Sequence, residues 1–96
     1  MFMRLTTFPL RHGSRPQVEP IADRFIRILA QQPGYRSATV AFDDADDEFV
    51  AVSVWETRGH AQSATANVRD AAQVALAELM RGSPNTRILE VHEPHG

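Results

Sequence analysis

Apolar and polar side chains alternate with a period of two in four stretches of this chain and recur with a helical period in two others. Met1 to Leu10 reads as a strand: Met1, Met3 and Leu5 fall on one face, Phe2 and Phe8 on the other, with Arg4 and Thr6 between the two phenylalanines. Pro9 ends its regular pairing. Arg11 to Pro16 reads as a loop with a Gly-Ser turn signal. Val18, Ile21, Ala22, Phe25, Ile28 and Leu29 then recur at helical spacing, with Arg24 and Arg27 on the outer side. Ser14-Arg15-Pro16-Gln17 has the form of a capping box, but Pro20 has to lie in the first turn, so the helix is expected to begin near Gln17 and to stop at Pro33-Gly34.

Tyr35 to Phe42 predicts a second strand, Asp43 to Glu48 an acidic turn, and Phe49 to Glu56 a third strand rich in valine, together a hairpin. Thr57 suits the N-cap of a second helix, whose apolar stripe is Ala61, Ala64, Val68, Ala71, Ala72, Ala75 and Leu79. Gly82 is expected to cap that helix and Pro84 to block its continuation. Thr86 to His92 predicts a last strand, followed by a loose tail at Glu93 to Gly96. Strand-helix-strand occurring twice is the ferredoxin-like β-α-β-β-α-β order, an α+β fold with two helices on one face of a four-stranded antiparallel sheet. Its length suits a single domain over residues 1–96.

The sheet is expected to be apolar on both faces. On the third strand Phe49, Ala51 and Trp55 share one face, while Val50, Val52 and Val54 share the other. Both faces then need cover, and the simplest cover for the open one is the same face of a second copy about a two-fold axis. A homodimer is therefore expected.

Charge and composition narrow the partners. The net charge of −2 is dispersed, with no basic face, which argues against nucleic acid. No stretch is apolar and long enough to span a bilayer, and the start lacks a signal-peptide pattern, so no membrane association and a cytoplasmic location are expected. The absence of cysteine excludes disulfides, thiolate catalysis and cysteine-ligated metal sites.

Three features coincide at their separations: Gln32-Pro33-Gly34-Tyr35 closing the first helix, Val54-Trp55-Glu56-Thr57 ending the valine-rich strand, and Ile88-Leu89-Glu90-Val91 in the last strand. Together they resemble the antibiotic biosynthesis monooxygenase-like family of the dimeric α+β barrel superfamily, over nearly the whole chain. The resemblance implies a dimeric barrel and, in some members, cofactor-free oxygenation of polyphenols. The haem-degrading branch carries an asparagine on the first strand and a tryptophan followed by a histidine within the second helix. Here the first strand has no asparagine and the second helix no tryptophan, which argues against haem degradation.

Several residues are candidates for chemistry. Trp55 stacks on an aromatic ligand or packs in the core or at the dimer interface. His60, in the first turn of a helix whose dipole disfavours its protonated form, is either a base toward a phenol or a solvated histidine. Asp43, Asp44, Asp46, Asp47 and Glu48 lack the glycine and distal glutamate of a calcium loop, since Phe49 and Trp55 stand in those places. His92 and His95 lack further ligands, so no metal and no cofactor are expected. No nucleophile elbow, phosphate loop or dinucleotide fingerprint occurs.

Two readings follow. One is a cofactor-independent oxygenase of a small aromatic molecule, with His60 catalytic and Phe8, Trp55 and Val68 lining a pocket between sheet and helices. The other is a non-catalytic ligand binder or structural homodimer in which those residues are core.

Overall fold

A computed structural model describes residues 1–94. The elements run β1 (Phe2–Pro9), α1 (Arg15–Leu29), β2 (Tyr35–Asp43), β3 (Glu48–Trp55), α2 (Arg58–Leu76) and β4 (Asn85–Glu90). The strands form one antiparallel sheet in the order β2-β3-β1-β4, which is the ferredoxin-like arrangement the alternation predicts. The tail expected at Glu93 to Gly96 lies partly outside the described residues, as does His95.

Two helix boundaries differ from expectation, each for a physical reason. Helix α1 begins at Arg15, not near Gln17, and the capping box does not form. Ser14 has helical backbone angles (φ −84°, ψ −8°), and its hydroxyl is buried without a partner. The groups it would cap are taken or missing: Pro16 has no N–H, and the Gln17 N–H bonds the Ser14 carbonyl at 2.9 Å. Pro20 therefore lies about half a turn further in than expected and forgoes the bond to the Pro16 carbonyl. Helix α2 ends at Leu76, well short of Gly82. The chain after it is drawn out to pair with the end of β1: the Arg11 N–H donates to the Leu79 carbonyl at 2.8 Å and the Arg81 N–H to the Pro9 carbonyl at 3.1 Å.

The start of α2 matches expectation. Thr57 is extended (φ −133°, ψ 161°), and its Oγ1 accepts from the His60 N–H at 3.1 Å. Ala61 and Ala64 are fully buried against the sheet, which small side chains allow, but Ala71 of the expected stripe faces outward.

Both faces of the sheet carry apolar groups. Phe8, Phe49 and Trp55 point toward the helices and are buried. Met3, Leu5, Val50, Val52, Val54 and Leu89 lie on the opposite face, half-buried in the single chain with no helix over them. No helix among the described residues is long and apolar enough to cross a membrane.

The acidic turn is held by its own neighbours. Asp43 accepts from the backbone N–H groups of Ala45 and Asp46 at 3.0 and 3.2 Å. Arg15 pairs with Asp44 at 2.8 Å, and His12 lies 3.2 Å from Asp47. No group of three acidic or histidine side chains among the described residues is gathered to hold a metal ion.

Candidate functional site: a cavity between the sheet and the helices

On the helix-facing side, the register aligns side chains in rows across the four strands. Phe42, Phe49 and Phe8 form one end row, with Phe8 and Phe42 stacked on Phe49 at centroid distances of 5.0 and 5.2 Å. The row of Tyr35, Trp55, Phe2 and Glu90 forms the other end, and Tyr35 meets Trp55 edge-on at 5.7 Å. Between them lie Val40, Ala51, Thr6 and Thr86, then Ala38, Ser53, Arg4 and Ile88. Most of these middle side chains are too short to reach the helices, which the aromatic end rows hold away from the sheet. A cavity of about 360 Å³ remains between them. That volume suits a small molecule.

The cavity wall is apolar with a few fixed polar groups. From the helices come Ala22, Phe25, Leu29, Val68 and Ala72, along with Thr65, Arg69 and Gln73. The Thr6 and Thr86 hydroxyls lie 3.0 Å apart and bond each other. Ser53 Oγ accepts from Trp55 Nε1 at 2.8 Å. Thr65 Oγ1 donates to the Ala61 carbonyl at 3.1 Å and accepts from Arg4 Nε at 2.6 Å. Burial pushes the Arg4 guanidinium below its usual pKa, because desolvation disfavours the charged form. Among the described residues, no Asp, Glu, His, Tyr or Lys lines the wall.

The four residues expected to form the pocket separate into two pairs. Phe8 and Val68 line the cavity. Trp55 does not: it is fully buried beyond Ser53, among Leu29, Ala61, Ala64 and Val68, and reaches the cavity only through its hydrogen bond to Ser53. His60 does not line the cavity either. Its ring lies over Gly34, close enough to exclude a Cβ there, and its Nδ1 is buried with no protein partner. No acceptor orients it as a base.

The alternation by itself presents Arg4 only as a polar residue between Phe2 and Phe8. The available signal was its parity. It shares a strand face with Phe2, Thr6 and Phe8, which places a cation on the side of the strand that has to meet the helices.

Residues 1–73 match the model of the antibiotic biosynthesis monooxygenase family. The chain belongs to that family. The matched segment carries Arg4, Phe8, Ser53, Trp55, His60, Thr65 and Val68, while Met80, Ser83, Pro84 and Thr86, which complete the cavity wall, follow it. Solved structures agree on the fold. A candidate antibiotic biosynthesis monooxygenase from Nitrosomonas europaea superposes with a TM-score of 0.82 at 12% identity, covering 99% of this chain and 93% of that one. One from Deinococcus radiodurans also gives 0.82, at 17% identity, covering 100% of this chain and 97% of that one. SnoaB, a cofactor-independent oxygenase from Streptomyces nogalater, gives 0.78 at 21% identity, covering 97% of this chain and 94% of that one. No curated protein sequence matches the chain. As in these relatives, this antibiotic biosynthesis monooxygenase family member has the β-α-β-β-α-β order, and its cavity is the void left by its short middle rows.

Proposed function

We propose that this family member is a cofactor-independent oxygenase that binds a small aromatic or polyphenolic molecule in the cavity between sheet and helices. The observation carrying this reading is the cavity itself: about 360 Å³, mostly apolar, opening beside the exposed Arg69 and Gln73. Family membership and the described activity of SnoaB supply the reaction class. A phenol oxidised to a quinone gives all its electrons to O₂; one oxygen atom enters the ring and the other leaves as water. No flavin or metal has to take part in that balance. Among the described residues, the wall contains no side chain suited to accept the phenolic proton. The ligand therefore ionises to solvent through the mouth, and a nearby cation favours its anionic form.

The same reading pairs two copies through the open sheet face, where six apolar side chains wait half-covered. Light scattering is expected to give twice the 10.7 kDa chain mass. Leu5→Glu, which places a carboxylate in the middle of that face, is expected to yield a folded monomer; a monomeric parent protein would remove this part of the reading.

Ala51→Leu tests the cavity. Ala51 lies in a middle row, and the larger side chain fills space now empty without displacing a neighbour. Oxygen uptake with a panel of hydroxylated naphthalenes and anthrones is expected to exceed the buffer rate for the parent and to fall at least tenfold in Ala51→Leu, with thermal stability unchanged or raised. A buffer-level rate despite binding of the same compounds would favour the second reading, a non-catalytic binder. The missing base in the wall is the observation on that side.

A further inference from the structure

Arg4 is only 6% exposed and has no carboxylate partner among the described residues. An isolated buried cation is rare, because removing its charge from water has to be offset by a counter-ion or by hydrogen bonds to all its donors. Arg4 has neither. Its Nε is spent on Thr65 Oγ1, and its terminal nitrogens have no protein acceptor among the described residues. The Thr65 bond also sets the direction of the group. Thr65 is anchored to the Ala61 carbonyl on a rigid helix, so it fixes one edge of the planar guanidinium and leaves the other edge in the cavity it lines. A second cation, Arg69, stands in the same wall, and no carboxylate does. Around Arg4 the middle rows supply small groups, Ala38, Ala51 and Ser53, while Phe8, Phe25 and Val68 supply flat or branched apolar surface.

We infer that Arg4 is the anion-recognition residue of this cavity, and that the ligand is a small aromatic molecule whose anionic oxygen, a carboxylate or an ionised phenol, pairs with the free edge of the guanidinium. A planar fork suits two oxygens or one oxygen shared between two N–H groups, and its strength rises in a site poor in water. Arg69, at the exposed rim, draws the anion inward and is screened by salt. This inference rests on the cavity as a ligand site and not on the oxygen chemistry.

The test is calorimetric titration of the full chain with 2-naphthoate and with 2-naphthamide, which has the same shape but no charge, at neutral pH. The parent is expected to bind the acid at least tenfold more tightly than the amide. Arg4→Gln is expected to erase that preference and to leave amide affinity within about twofold. Arg69→Gln is expected to reduce the preference only two- to threefold, and less at high salt. Should Arg4→Gln not fold, Arg4→Lys keeps the charge but loses the fork and is expected to retain only part of the preference. Equal affinity for both probes, a preference that survives Arg4→Gln, or no binding of either at millimolar concentration overturns the inference. Tight, Arg4-dependent binding without oxygen uptake on any aromatic anion leaves the inference standing and removes the oxygenase.

Discussion

Gly34→Ala is expected to destabilise the protein by about 2–4 kcal/mol, a large share of what a domain of this size has. Two terms combine. Gly34 sits at φ +80°, where an L side chain is strained by about 1 kcal/mol. The added Cβ would also overlap Cβ, Cγ and Nδ1 of His60, overpacking of a kind that typically costs about 1–3 kcal/mol. Neither partner yields easily. The Gly34 carbonyl accepts from the Glu56 N–H at 2.9 Å, and the His60 N–H is tied to Thr57 Oγ1 in the first turn of α2. His60→Ala alone is expected to cost about 1 kcal/mol, and in the double variant the overlaps with Cγ and Nδ1 vanish while the contact with Cβ and the strained φ remain. Urea denaturation of the four proteins should therefore show coupling of about 1 kcal/mol or more. Additive effects would mean that the ring swings freely off Gly34. His60 would then be available as a base, which its packing denies it here.

The same contact shows what the pattern of residues could and could not reveal. Pro33-Gly34 was legible as a stop and Thr57 as a cap, because each is a local backbone requirement carried by one residue type. That a histidine three residues past the cap would lie against that glycine is a long-range fact with no local signature. Strand faces were legible for a similar reason: a period of two survives whatever the strand packs on, so Phe49 and Trp55 were set opposite Val50, Val52 and Val54 correctly. Helix ends were less so. The end of α2 is decided by pairing of Leu79 to Arg81 with Pro9 to Arg11, a competition that helical spacing cannot register. The candidate site was half legible. Large side chains attract notice as pocket walls, but in this sheet the large ones, Trp55 among them, fill the ends, and the cavity exists because Ala38, Ala51, Ser53 and Thr6 are short.

Arg4→Met is expected to raise the stability of the empty protein by about 1–3 kcal/mol, which for a chain of this length corresponds to roughly 4–8 °C in Tm per kcal/mol. Methionine keeps most of the aliphatic stem's packing, removes a charge that has no counter-ion, and gives up one hydrogen bond to Thr65, which still donates to Ala61. The pH dependence follows from the direction of the shift. Desolvation lowers the arginine pKa on folding, so folding disfavours the protonated form, and relief comes only as pH rises through the lowered value. Arginine stays protonated across the range in which a protein is studied, so the gain in Arg4→Met should be flat around neutral pH. The ligand should act against this gain. With 2-naphthoate at a hundredfold excess over its Kd, the parent gains about 2.7 kcal/mol and the variant, binding at least tenfold more weakly, about 1.4 kcal/mol or less, so the ligand moves the pair by about 1.3 kcal/mol or more toward the parent, and the loaded parent becomes the more stable wherever the empty-state gain is smaller than that shift. Scanning calorimetry at one protomer concentration, with and without the acid, reads both comparisons. A crossing of this kind is the mark of a residue kept at a cost to the fold for the sake of a ligand. An Arg4→Met protein less stable than its parent by more than about 1 kcal/mol would instead make Arg4 part of the core, with its free edge held by ordered water rather than waiting for an anion.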